Sequence, residues 1–144
     1  MVLARKLEAA ASQGRTFELD LSFQPHLWSL IENADDLRQL FEHLRWAKLC
    51  LDVAHLHAAG SNPLEIIQST EFGSIIAHVH IKDWDGNNFV ELGQGDGSLD
   101  IPAVLMALEA TGYPGFVGVE LDSTTTTPLE SATRNREYLR RLGY

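Results

Sequence analysis

The chain has 144 residues, 44% of them hydrophobic and 22% charged, which is enough for a packed core and unlike a disordered segment. Eleven basic residues against twenty acidic ones give a net charge of −9, and the absence of a basic stripe excludes a sequence-independent grip on nucleic acid. No apolar run approaches the roughly 18 residues of a membrane helix, the first fifteen residues lack the apolar centre of a signal peptide, and Cys50 stands alone. A disulfide framework and a cysteine metal cage are therefore excluded, and a reducing, cytoplasmic setting is expected.

Leu3, Leu7 and Ala11 recur at helical spacing, with Gly14 as a stop. Phe17, Leu19, Leu21 and Phe23 alternate with polar or small residues and predict a first strand over 16–23, ended by Pro25. Leu37, Leu40, Phe41 and Leu44 form one helical face, with Asn33 or Asp35 as its cap. The apolar run 47–51 ends at Asp52 and predicts a second strand, buried on both faces. Asn62-Pro63 opens a helix carrying Leu64, Ile66 and Ile67. A third strand is expected over 75–81, then Gly-rich loop from Asp85 to Gly97, then a helix introduced by Asp100 and Pro102. A fourth strand over 116–121 precedes a helix opened by the capping box Thr127-Pro128-Leu129-Glu130. Strands alternating with helices imply right-handed βαβ units, a parallel sheet and the α/β class.

Each predicted strand ends in an ionisable or metal-capable side chain: His26, Asp52, His80 and Glu120. In parallel α/β folds the carboxyl ends of strands are where sites assemble. Two imidazoles and two carboxylates converging there suit a divalent ion of intermediate hardness, such as Mn²⁺, Co²⁺ or Zn²⁺. His55, three residues after Asp52, is placed beside the same pocket as a substrate or supporting group. Lys82 and Asp83 follow His80 and reach either substrate oxygens or each other in an exposed salt bridge. His57 and His78 are expected to be structural and His43 a surface residue. Gly93-Gln94-Gly95-Asp96-Gly97 lacks the lysine and preceding strand of a phosphate loop, so a flexible lid or turn is expected there.

Several spaced segments are similar to one superfamily. Leu51-Asp52-Val53-Ala54-His55 with Ala59-Gly60-Ser61-Asn62-Pro63 resembles the "LDTGH…AGxDP" segment of xylose isomerase-like barrels. His78-Val79-His80-Ile81-Lys82-Asp83 resembles their "HVHLKD" strand, and Glu91 to Asp122 their "LGxGxxD…GYxGxxxxExD" tail. Gln24-Pro25-His26 through Ile31-Glu32-Asn33 resembles the "HPHxGTxxET" segment of the branch related to inosose dehydratase. The resemblance implies a (β/α)₈ barrel with a divalent ion at its mouth, Mn²⁺ foremost, with Co²⁺, Mg²⁺ or Zn²⁺ as alternatives. It implies Asp52, His80 and Glu120 as metal ligands. His26 falls where epimerase members place a metal-binding, proton-transferring glutamate. His55, Lys82, Asp83 and Glu32 are expected at the substrate, a small carbohydrate. Gln24 replaces the dehydratase-like branch's first histidine.

The implied reaction is isomerisation or epimerisation of a sugar, sugar phosphate or keto-polyol through an enediolate, with Glu120 as base and His26 as the opposing acid/base. Dehydration of a keto-inositol and an inactive assembly module are the alternatives. A nuclease like endonuclease IV is disfavoured, since no Asp-x-His pair lies between His80 and Glu120. A complete barrel needs roughly 250 residues. The four strands match only the C-terminal half, so a fragment is expected, with a self-pairing half-barrel or a barrel completed by another chain as alternatives.

Overall fold

The computed structural model describes residues 2–144. Helix α1 (Val2–Arg15) is followed by β1 (Ser22–Phe23), α2 (Ala34–Phe41), β2 (Lys48–Asp52), α3 (Val53–Ala58) and α4 (Pro63–Gln68). A short 3₁₀ turn leads into β3 (Ile76–Ile81), then a small hairpin of β4 (Asp83–Trp84) and β5 (Phe89–Val90). Helix α5 (Ile101–Ala110), β6 (Val117–Val119) and α6 (Pro128–Leu142) follow. Strands β1, β2, β3 and β6 lie side by side in that order, all parallel, as consecutive right-handed units require. The fold is thus α/β and makes about half of a barrel wall. Among the described residues no helix is long and apolar enough to cross a membrane.

Period-two alternation divides the central strands into two faces. Leu49, Leu51, Val79 and Ile81 point one way and are completely buried or nearly so. They meet Leu37 and Leu40 of α2, Val53 and Leu56 of α3, Ile66 and Ile67 of α4, and Val104, Leu105 and Leu108 of α5 in one apolar cluster. Cys50, Asp52, His78 and His80 alternate with them and point the other way. Four of the expected helix starts are capped. Asn33 and Thr127 close reciprocal capping boxes with Asp36 and Glu130, while Asn62 and Asp100 accept from Leu64 N and Ala103 N.

Three expectations need correction. The first strand is two residues long rather than the whole of 16–23. Glu18 adopts φ 59°, a left-handed conformation that no strand accommodates, and both Phe17 N and Leu19 N bond to Gly14 O. Phe17 and Leu19 are consequently 68% and 63% exposed. The fourth strand is likewise shorter, Val117–Val119. The stretch expected as loop from Asp85 to Gly97 contains half of the β4–β5 hairpin, whose turn is held by Asp85 Oδ1 accepting from Asn87 N and Asn88 N. The remainder is an anchored turn and not a lid: Gly93 N donates to Asp83 Oδ2 and Asp96 N to Trp84 O, both at 2.9 Å.

Candidate metal and proton-transfer site

Register brings the site together. Asp52 on β2 and His80 on β3 are direct cross-strand partners. Gly118 on β6 pairs with His80, and Glu120, two residues on, returns to the same face while its N–H bonds Ile81 O. One ligand atom from each of Asp52, His80 and Glu120 lies within 4.8 Å of the others. His80 Nδ1 is 3.0 Å from Glu120 Oε2.

Asp52 serves two ends at once. Its Oδ1 accepts from His55 N at 3.1 Å and caps α3, while Oδ2 faces the cluster. Lys82 Nζ donates to Asp52 Oδ2 at 2.6 Å and to Glu120 Oε2 at 3.3 Å. Gln24 Nε2 reaches the same two oxygens, at 3.0 and 3.4 Å. Burial would raise the Glu120 carboxyl, but the charges of Lys82 and His80 and the hydrogen bonds from Lys82 and Gln24 outweigh it and hold Glu120 below the usual carboxylate range. Cys50, buried and 3.9 Å from His80 Nδ1, is pushed up to about 11 by burial and by the charges of Asp52 and Glu120. Its thiol stays protonated and is no nucleophile.

The expected quartet is therefore a trio. His26 falls outside it and joins His55 and Asp122, whose ligand atoms form a second group within 4.8 Å. Gln24, two residues earlier, reaches the Asp52–Glu120 pair instead. The chain turns out of β1 at Pro25, so the last inward position of that strand is Gln24. The His26 ring stacks on His55 with centroids 3.7 Å apart.

Leu27 fixes the tautomers of both rings, because each of its peptide groups has one chemical role. Its N–H donates to His55 Nδ1 at 3.2 Å, so the proton of neutral His55 sits on Nε2. Its C=O accepts from His26 Nδ1 at 3.0 Å, which leaves His26 Nε2 as the acceptor in the neutral ring. His55 is fully buried, and burial drives it down to about 4; Asp52 and Asp122 pull against this, while Lys82 and His26 add to it. Its Nε2–H has no partner within hydrogen-bonding distance, lying 3.9 Å from Asp52 Oδ2 and 3.8 Å from Asp122 Oδ2. A buried N–H of this kind is a donor looking for a guest oxygen rather than a metal ligand.

Other expected substrate residues have different duties. Lys82 is neither exposed nor paired with Asp83; it is completely buried within the trio. Asp83 is consumed by the fold, accepting from Trp84 N and Gly93 N. Glu32 accepts from Trp28 N at 2.6 Å and closes the 26–32 loop. His43 is exposed, His57 bonds Ser98 Oγ at 2.9 Å, and the His78 ring packs on His80. The sequence marks neither Gln24 nor Asp122 as a site residue. An amide carries no ionisation signal, and Asp122 is set apart only by its position two residues beyond Glu120, on the same inward face.

The donor set fits a divalent cation. Two carboxylate oxygens and an imidazole nitrogen converge, and the structure already draws one positive charge, the Lys82 ammonium, onto both carboxylates.

A parallel β/α sheet bearing acid, imidazole and acid at the carboxyl ends of adjacent strands is the wall and rim of a barrel with its functional groups at the mouth. The chain belongs to the xylose isomerase-like TIM barrel family, whose model matches residues 2–142. Among curated relatives it is 26% identical over 162 residues to an inosose dehydratase of Clostridium botulinum, covering 96% of this chain and 53% of that protein. It is 27% identical over 158 residues to the rhizopine catabolism protein MocC of Rhizobium meliloti, covering 96% and 48%. Among solved structures it superposes on the 3-keto-D-glucoside 4-epimerase YcjR of E. coli with a TM-score of 0.76 at 21% identity, covering 97% of this chain and 51% of that one. It superposes on the IOLI protein with a bound zinc atom with a TM-score of 0.76 at 23% identity, covering 96% and 54%. At these identities the structural matches show the fold alone. The chain spans about half the length of the curated relatives it matches.

Proposed function

We propose that the chain carries the cation-holding and proton-moving wall of a divalent-metal-dependent isomerase or epimerase acting on a small sugar, sugar phosphate or keto-polyol. The observation that carries this is the convergence of Asp52, His80 and Glu120 within 4.8 Å at the carboxyl rim. These three side chains would hold the cation, with Mn²⁺ the best match to the mixed donor set and Co²⁺, Mg²⁺ or Zn²⁺ as alternatives. When bound, the cation supplies Lewis acidity that makes the C–H beside a substrate carbonyl easier to ionise. Glu120 is the base for that proton: it is 41% exposed, so substrate reaches it, and its lowered pKa keeps it ionised. His26 presents Nε2 as a second proton acceptor, exposed to solvent. His55 presents its buried Nε2–H as the donor for a substrate oxygen. Return of the proton at a different carbon gives isomerisation, and return on the opposite face gives epimerisation. The unpaired, protonated Cys50 thiol is in keeping with a cytoplasmic setting.

A second reading is dehydration of a keto-inositol, favoured by the single exposed carboxylate of the trio: the Asp52 side chain is 0% exposed and that of Glu120 41%. Glu120 would take the proton beside the carbonyl, and the β-hydroxyl would leave as water with a proton delivered by His26, the opposing acid/base. The names of the curated relatives point the same way.

The test is deuterium exchange. The Mn²⁺-loaded protein, alone and with a complementing barrel half, is incubated with keto-sugars and keto-inositol in D₂O and followed by mass spectrometry. Incorporation at the carbon beside the carbonyl supports the proposal, and an unsaturated product selects the second reading. If neither preparation yields exchange or an unsaturated product, both readings fall.

A further inference from the structure

We propose that the Lys82 ammonium is a tethered rival of the divalent cation, so that loading the cation and detaching Lys82 from Asp52 and Glu120 are one exchange. The inference rests on the reading of Asp52, His80 and Glu120 as the cation-holding trio.

Lys82 holds oxygens that a cation would use. Asp52 Oδ1 accepts from His55 N and caps α3, and Oδ2, which faces the cluster, already accepts Lys82 Nζ at 2.6 Å and Gln24 Nε2 at 3.0 Å. Glu120 Oε2 accepts the same ammonium and the same amide and also meets His80 Nδ1. Lys82 therefore occupies one oxygen of each carboxylate, and in Glu120 it is the oxygen that also meets His80 Nδ1. Charge leads to the same place. Two carboxylates and one ammonium leave a single negative charge, and adding a divalent ion with Lys82 in place would leave a net positive charge in a region where Asp52 and Lys82 side chains are 0% exposed. An uncompensated buried charge is costly, so one cation leaves as the other enters. In its present position Nζ also lies over the Phe89 ring, 5.3 Å from its centre, a cation-attracting contact that does not depend on the two carboxylates.

The opposite role is equally concrete. If Lys82 simply holds the two carboxylates ionised and in position, its removal must weaken cation binding. The sign of the change decides. Mn²⁺ binding to the wild type, Lys82→Met and Lys82→Gln is measured by calorimetry, with melting temperatures recorded with and without Mn²⁺. Both variants are expected to bind Mn²⁺ about tenfold more tightly or better, because no buried cation has to be displaced. Mn²⁺ should also raise their melting temperatures more than that of the wild type. Folded variants that bind no more tightly than a wild type that does bind overturn this inference and leave the proposed function standing. Absence of Mn²⁺ binding in all three proteins overturns both, whereas binding by the variants alone supports the exchange in its strongest form. Should neither variant fold even with Mn²⁺, the wild type answers through amine labelling read by mass spectrometry. Lys82, one of three lysines with Lys6 and Lys48, should gain reactivity on Mn²⁺ loading, and unchanged protection overturns the exchange.

Discussion

The central strands and the flanking strands of the sheet are built differently, and the site is assembled across that difference. Strands β2 and β3 run five and six residues, bury Leu49, Leu51, Val79 and Ile81, and supply Asp52, His80 and, one residue on, Lys82. Strands β1 and β6 run two and three residues beside exposed Phe17, Leu19, Phe116 and Val119, and the turns beyond them supply Gln24, His26 and Glu120. Central groups are thus locked by packing, while flanking groups keep access to solvent and substrate. The central strands carry both stability and two of the proposed cation ligands, while the flanks carry the groups that face solvent.

The largest effect should come from Asp52. Asp52→Asn preserves the cap on α3, because asparagine also accepts from His55 N, but it strips the buried Lys82 of its closest anion. The expected loss is about 3 kcal/mol of stability in urea unfolding, together with Mn²⁺ binding. Glu120→Gln is the flanking counterpart. Its carboxylate is partly exposed and Lys82 retains Asp52, so the stability cost should stay below about 1 kcal/mol. Proton exchange on the substrate should nevertheless fall by about 10²–10⁴-fold. Equal stability losses in the two variants would erase the distinction between central and flanking groups.

A pH dependence sharpens the same contrast. His55 is held down to about 4 in the folded protein by burial, against an ordinary value of 6.5. Between these values the unfolded chain binds more protons at this position than the folded one, so the contribution of His55 to stability is complete above 6.5 and is lost as pH falls toward 4. The slope reaches at most about 1.4 kcal/mol per pH unit. In chelator, wild-type unfolding free energy should fall more between pH 7 and pH 5 than that of His55→Gln. Parallel falls would show that His55 is not buried neutral.

The same division explains what was legible in the sequence. Caps at Asn33, Asn62, Asp100 and Thr127 are local chemistry and stand where expected. So do β2 and β3, whose apolar runs are bounded by Asp52 and by Lys82. The trio was readable because Asp52, His80 and Glu120 end strands that pair in register. The flanks were harder. The alternation of Phe17 and Leu19 mimics a strand, yet these residues find no neighbour to pack on and Glu18 turns left-handed. His26 outranked Gln24 because imidazole looks chemical and amide does not. The hairpin is hidden although Asp85-Gly86 between Trp84 and Phe89 is a recognisable turn signal, since five glycines and asparagines nearby read as loop throughout. The burial of Lys82 followed only from three strands meeting.

The hairpin extends the central side, and Gly95 tests how firmly. A Cβ at this position would collide with the Asp83 carboxylate and sit 2.6 Å from Trp84 O. Neither neighbour yields readily, because Asp83 is tied to Gly93 N and Trp84 O to Asp96 N. Gly95→Ala should therefore cost about 1–3 kcal/mol by forcing the turn off the hairpin. Thermal unfolding reads this directly, and an unchanged midpoint would mean that the turn is loose.

The smallest effect belongs to the flank, at Thr127. Its hydroxyl accepts from Glu130 N at 3.2 Å while Glu130 Oε2 accepts from Thr127 N at 3.0 Å, so each side chain satisfies an N–H that the first turn of α6 leaves open. Thr127→Ala removes half of that exchange, worth about 1 kcal/mol. Helix α6 buries only Ser131 and Asn135, and its ties to the rest of the chain lie two turns or more further along, where Asn135 Oδ1 accepts from Leu92 N at 2.7 Å and Tyr138 and Leu139 pack on the core. The lost cap should hence act on the first turn rather than on the whole fold. Amide hydrogen exchange over residues 129–133 should quicken about fivefold, the factor that 1 kcal/mol represents, while the amides of β2 and β3 keep their rates. Acceleration shared equally by the central strands would mean that flank and centre unfold as one unit, and that the short strands β1 and β6 are bound to the core more tightly than their exposure implies.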